Sequence, residues 1–271
     1  MSSTGPEVAY EWCPARSAPS GTGSAPPLVL LHAFPLDRRM WAEVRARLGV
    51  LDLILVDLPG FGDSPSAEGP PSLDTYADAV ADVLDRTGHR RAILAGVSMG
   101  GYVIMSFARR HRERLAGAAL VDTKADADTE EAAANRERIA TAVTGDAGTR
   151  ALAPMIDTLL GATTRSSRPE VVAWVREALA AAPPAGVAWA QRAMACRPDS
   201  IPTLRGLDVP TVVLVGEEDT LSPPQTAREM AAVLPDAVLG VVPRGGHLSP
   251  LECPEAVADA LLGLVLRVRV A

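Results

Sequence analysis

Six short apolar runs, separated by longer amphipathic stretches, constrain this chain more than any other feature of it. They are Leu28 to His32, Leu53 to Asp57, Ala92 to Gly96, Ala118 to Asp122, Thr211 to Gly216 and Val238 to Val242. Each is apolar almost throughout, without the in–out alternation of a half-solvated strand. That suits a parallel sheet covered on both faces. Val8 to Trp12 reads as an additional first strand, and Ala15 to Pro27, rich in Ser, Gly and Pro, as a flexible loop. Helical patterns fall between the runs, over Arg38 to Leu48, Leu73 to Thr87, Gly101 to Arg110, Pro224 to Leu234 and Pro254 to Arg267. Strands alternating with helices predict an α/β protein built on a doubly wound, mostly parallel sheet.

One interval breaks the rhythm. From Lys124 to Leu207 there are only Ala-rich helical patterns, broken at Pro154, Pro169, Pro183-Pro184 and Pro198. The expectation is an all-helical cap over residues 124–207, inserted into a core made of 1–123 and 208–271. Its place between the fifth and sixth strands sets it beside the carboxyl ends of the sheet, where ligands bind in such folds.

Composition narrows the function classes. With 271 residues and 48% hydrophobic side chains, the chain has material for one large core. A net charge of −7 without a basic patch argues against nucleic acid or an anionic membrane surface as partner. No apolar run reaches the roughly 20 residues of a membrane span. The opening MSSTGPEVAYEW lacks the basic-then-apolar pattern of a signal peptide. Three scattered cysteines, Cys13, Cys196 and Cys253, suggest neither a disulfide framework nor a zinc site, so a cytoplasmic protein is expected. Lys124 is the only lysine among 26 basic residues, which reads as a bias of the coding sequence and not as function.

The chemistry concentrates at Gly96-Val97-Ser98-Met99-Gly100, a G-x-S-x-G between an expected strand and an expected helix. A sharp strand-to-helix turn lifts the serine hydroxyl out of the sheet, and glycines two before and two after tolerate the crowding. The new helix brings backbone N–H groups to the same spot. Serine needs an oriented base. Of four histidines, His89 and His111 sit at expected helix ends, and His32 ends a strand where it holds the following turn. His247, in the glycine-preceded Arg244 to Pro250 loop, is the candidate base. The acid belongs between serine and histidine in chain order. Asp219 in Gly216-Glu217-Glu218-Asp219 is the choice, with Glu217 and Glu218 as solvated loop charges and Asp122 as the rival.

Five segments together resemble the α/β-hydrolase superfamily, in particular its small enol-lactonases, esterases and cofactor-free haloperoxidases. They are Leu31 to Pro35, Asp57 to Ser64, Gly96 to Gly101, Gly216 to Asp219 and Gly245 to His247. The resemblance implies that Leu31 to Pro35 is the oxyanion loop, with the amides of Phe34 and Met99 as donors. Ala33 stands where that loop usually has glycine. It implies a structural role for the Asp57 to Ser64 turn. The sequence has no P-loop, no G-x-G-x-x-G after the first strand and no metal-ligand cluster, so neither cofactor nor metal is expected. Expected is hydrolysis of a small or medium carboxylic ester or lactone through an acyl-enzyme. Perhydrolysis, carbon–carbon hydrolysis and a non-catalytic binding protein are the alternatives. Trp174, Trp189, Leu221 and Leu248, with Met155 and Met194, are the candidates to line an apolar pocket for a small-molecule substrate. The oligomeric state stays open.

Overall fold

The structure is a computed structural model that describes residues 7–15 and 26–270. Most of the Ala15 to Pro27 segment therefore lies outside the described residues. A seven-stranded sheet runs in the order β1-β3-β2-β4-β5-β6-β7. The strands are β1 (Tyr10–Cys13), β2 (Leu28–Leu31), β3 (Leu53–Val56), β4 (Ala92–Val97), β5 (Leu115–Val121), β6 (Thr211–Gly216) and β7 (Ala237–Val242). Only β1 is antiparallel to its neighbour; every other pairing is parallel. Each expected run became a strand, to within a few residues at its ends.

The apolar runs behave as both-face burial requires. Every residue of β2 to β6 is buried. The exception is β7, expected to be covered like the others. As the edge strand it leaves Val238, Leu239 and Val241 exposed. Two helix pairs flank the sheet. Helix α1 (Ala42–Arg47) packs on the last helix, and α2 (Leu73–Arg86) on α3 (Met99–Arg110). Helix α2 starts where Ser72 accepts the Asp74 N–H at 3.1 Å, an N-cap that satisfies one orphan donor. It buries eight residues of its inner face. Full burial of each large aliphatic side chain is worth about 1.5–3 kcal/mol, so the sheet core dominates stability.

Between β5 and β6 the described residues hold only helical elements. These are α4 (Glu130–Thr144), a 3-10 stretch (Gly148–Met155), α5 (Ile156–Leu159), α6 (Ala162–Ser167), α7 (Pro169–Ala181), α8 (Pro184–Ala195) and α9 (Ile201–Arg205). After β6 come α10 (Pro224–Val233), β7, α11 (Ser249–Glu252) and α12 (Pro254–Val270). The strand order departs in both directions from the β2–β4 pair. The crevice beyond their carboxyl ends is where such a sheet takes ligands. Among the described residues no helix is long and apolar enough to cross a membrane.

Candidate active site

Ser98 sits between β4 and α3 with φ 52° and ψ −109°, a backbone region that residues with a Cβ rarely enter. The surroundings over-determine it. Its N–H donates to Val121 at 2.9 Å, and its carbonyl accepts the Thr123 hydroxyl at 2.8 Å. The flanking glycines are required by close approach. A Cβ on Gly96 would lie 2.3 Å from the Gly100 carbonyl carbon, and one on Gly100 would lie 2.6 Å from the Leu31 oxygen. Met99 opens α3, so its N–H belongs to the first turn, whose amides have no partner inside the helix.

Three loops at the carboxyl ends of β4, β6 and β7 meet at this point. His247 Nε2 lies 2.8 Å from Ser98 Oγ, and His247 Nδ1 lies 2.8 Å from Asp219 Oδ2. The other Asp219 oxygen accepts the N–H groups of Leu221 (2.8 Å) and Ser222 (3.0 Å). Both side chains are buried. Burial pushes the Asp219 carboxyl up, but His247 and the two amides outweigh it and hold it below the usual range. Burial likewise pushes the imidazole down, and Asp219 outweighs that, so His247 ends above its ordinary value. The arrangement can deprotonate Ser98 and stabilise the resulting imidazolium.

Asp122 is fully buried close by, yet its oxygens face other partners. It accepts Gly216 N–H at 2.9 Å and Ser249 N–H at 3.0 Å, tying the β6 loop to the His247 loop. Burial and the charge of Asp219 push it up to about 8. The two carboxyls are thus driven apart in acidity, with the ionised one on the histidine.

The remaining histidines lie elsewhere. His32 Nε2 accepts the Leu58 N–H at 2.9 Å and its Nδ1 lies 3.0 Å from the Ala33 carbonyl, so it holds the turn as expected. His111 pairs with Asp78 at 2.7 Å, and His89 sits edge-on to Trp12. The Asp57 to Ser64 turn is internally bonded, with Ser64 Oγ donating to the Asp57 carbonyl at 2.6 Å. Ala33 is buried without a positive φ, and its N–H meets Met40 Sδ at 3.2 Å. A methyl group is accommodated there.

Ser98 and His247 open into a cavity of about 370 Å³. Phe34 and Leu221 line it, as do Met155 and Met194. Three expected pocket residues are corrected. Trp189 stacks on the buried Tyr76 ring of α2 at 5.0 Å and donates its Nε1–H to the Gly69 carbonyl, partners that hold it against α2 and away from the cavity. Trp174 on α7 lines a separate groove of about 820 Å³ with Arg39, Arg47 and Arg168. Leu248 caps α11 and is buried entirely in the core.

The cavity is also less apolar than expected. Lys124, Asp128, Asn135, Arg136 and Gln191 line it; of these the sequence drew attention only to Lys124, and there as a bias of the coding sequence. Some of their partners are remote along the chain, as with Arg136 and Gln191, and short-range pattern does not show that they face one cavity. Glu218 differs from expectation too. It is half-buried and accepts the N–H (2.8 Å) and hydroxyl (2.5 Å) of Thr163, tying the acid loop to α6. Buried Glu252 does the same for the histidine loop, accepting Leu248 N–H at 3.1 Å and Gly161 N–H at 2.8 Å. Among the described residues no group of three or more His, Cys, Asp or Glu is placed to share a metal ion.

This sheet with this serine turn defines a class, and the chain belongs to the α/β-hydrolase fold family, whose model matches residues 26–254. Among curated proteins it is similar to the pimeloyl-[acyl-carrier protein] methyl ester esterase of Chromobacterium violaceum. The two are 30% identical over 246 residues, covering 88% of this chain and 94% of the relative. Among solved structures it is similar to a thermophilic esterase from Thermogutta terrifontis, with TM-score 0.89, 40% identity and coverage of 96% and 93%. It is also similar to the enol-lactonase from Burkholderia xenovorans LB400, with TM-score 0.85, 26% identity and coverage of 96% of each chain.

Proposed function

We propose that this protein is a serine hydrolase that cleaves a carboxylic ester or lactone of a small molecule through an acyl-enzyme. The observation that carries the reading is the unbroken hydrogen-bonded line Ser98–His247–Asp219 ending at a serine held in a strained turn. Relatives named as esterases and an enol-lactonase support it. His247 takes the Ser98 proton as Oγ attacks the carbonyl, and Asp219 stabilises the imidazolium. The amides of Phe34 and Met99 receive the oxyanion, each contributing on the order of 3 kcal/mol in the transition state. His247 protonates the departing alcohol, then activates the water that releases the acid. Residues 124–207 act as the cap that shapes the cavity over residues 1–123 and 208–271. A cytoplasmic setting fits the free thiols.

Fluorophosphonate labelling read by intact mass tests this. One adduct on the wild type and none on Ser98→Ala is the expected result, together with loss of ester turnover in the variant. A folded wild type that takes no adduct and turns over no ester overturns the reading in favour of a binding protein.

A further inference from the structure

Where α4 meets α8, the cavity wall carries a charge imbalance that packing alone does not call for. Asp128, whose side chain is wholly buried, is shared by three cations. Arg136 pairs with it, Arg197 lies 2.7 Å away, and Lys124 stands at 3.8 Å, beyond hydrogen-bond reach. The other nearby carboxylate, Asp126, is exposed to solvent. Arg197 is occupied behind the wall. It stacks on the Tyr102 ring at 4.2 Å and donates to the carbonyls of Met194 and Asp126. Lys124 and Arg136 face the same cavity as Ser98 and His247, with Asn135 and Gln191 beside them. Arg197 is buried, while Lys124 and Arg136 are half-buried. Cations drawn even partly out of water ordinarily have matching anions, since an unpaired charge there is costly. Here one carboxylate serves three cations, and the open side of the surplus is the cavity.

We infer that the substrate carries a free carboxylate in addition to its ester or lactone bond, and that Lys124 and Arg136 hold that carboxylate where α4 meets α8. This rests on the hydrolase reading for the bond cleaved, though not for the anion bound. The state of Lys124 agrees. Burial and the charge of Arg197 push its ammonium down, and the opposite charge of an incoming carboxylate acts against that. Phe34, Leu221, Met155 and Leu159 supply the apolar wall for the chain joining carboxylate to ester.

Matched substrates test the inference. Monomethyl adipate is compared with methyl hexanoate, placing the charge on the acyl side. Then 4-acetoxybutanoate is compared with butyl acetate, placing it on the alcohol side. In at least one pair kcat/KM favours the anion by roughly ten- to hundredfold, the worth of one charge-assisted contact. That ratio falls toward one in Lys124→Gln and Arg136→Gln and persists in Lys124→Arg. If the cluster only fastens α4 to α8, Arg136→Gln lowers stability and leaves the ratio unchanged.

A second readout is independent of turnover. Because Lys124 is the sole lysine, reductive 13C-methylation of Ser98→Ala gives one dimethyl-lysine resonance beside that of the chain's amino terminus. Adipate moves it saturably. Neutral esters preferred in both pairs, with the lysine resonance unmoved by adipate, overturn the inference while fluorophosphonate labelling leaves the hydrolase standing. A saturable shift without any labelling keeps the anion site and removes the hydrolase.

Discussion

Ser98 holds its unfavourable φ because the groups around it leave no alternative, with β5 receiving its N–H and Thr123 bonding its carbonyl. Strain of this sort costs on the order of 1–3 kcal/mol and persists only when it is over-determined. His247 and Asp219 show the complementary case, in which two buried ionisable groups each make the other's charge tolerable. Acylation needs a neutral imidazole, and His247 titrates above 6.5, so kcat/KM rises with pH through a midpoint above that value. In Asp219→Asn the largest raising influence is gone, and burial, which lowers the imidazole, counts for more. The midpoint then moves to lower pH and the plateau drops about 10⁴-fold. A pH–rate profile on a p-nitrophenyl ester measures both, and an unmoved midpoint counts against Asp219 as the orienting acid.

At the scale of elements, the helices between β5 and β6 are joined to the loops beyond β6 and β7 by carboxylate-to-amide ties through Glu218 and Glu252. They also meet the core backbone to backbone. Gly186 on α8 packs on the Gly60 turn so closely that a Cβ would lie 2.0 Å from the Gly60 oxygen. Gly60 itself has φ +86°. Gly186→Ala therefore forces α8 outward and lowers stability by about 1–3 kcal/mol. Since α8 carries Gln191 and Met194 of the cavity wall, KM rises as well. Urea unfolding and steady-state kinetics check the pair of effects. An alanine variant with wild-type midpoint and KM means that α8 adjusts freely.

For the whole molecule, the same buried acids set how stability follows pH. Asp122 is raised from 3.8 to about 8, so over that window the folded state keeps a proton the unfolded chain has released. Stability therefore falls as pH rises. His247 acts with the same sign, its contribution fully present below 6.5 and lost as pH rises through its folded value. Asp219 and Asp128 are depressed, so their contribution is present above 3.8 and lost as pH falls through their folded values. The maximum lies between these limits, on the acid side of the activity plateau. Urea midpoints are expected to be higher at about pH 5 than at about pH 8, with Asp122→Asn narrowing the gap. Greater stability at the alkaline end would contradict the assignment.

What the sequence determined by itself was whatever short-range pattern encodes. Continuous apolar runs specified strands buried on both faces, since each residue's environment follows from its own hydrophobicity. The G-x-S-x-G turn and the order Ser98, Asp219, His247 were legible because the strand–turn–helix geometry is local and the loops fall at fixed ends of strands. Tertiary structure decided the rest. Asp122 and Asp219 both follow strands, and only the packing of β5 against β6 assigns one to amides and the other to the imidazole. Trp174 and Trp189 were drawn to other surfaces, because a large ring goes to the apolar area that the folded neighbours present. Lys124, an isolated lysine in the sequence, gained its setting from Arg136 on α4 and Arg197 beyond α8. Arg197 is far from Lys124, Asp128 and Arg136 in the chain, and it meets Asp128 only once the helices have been brought together.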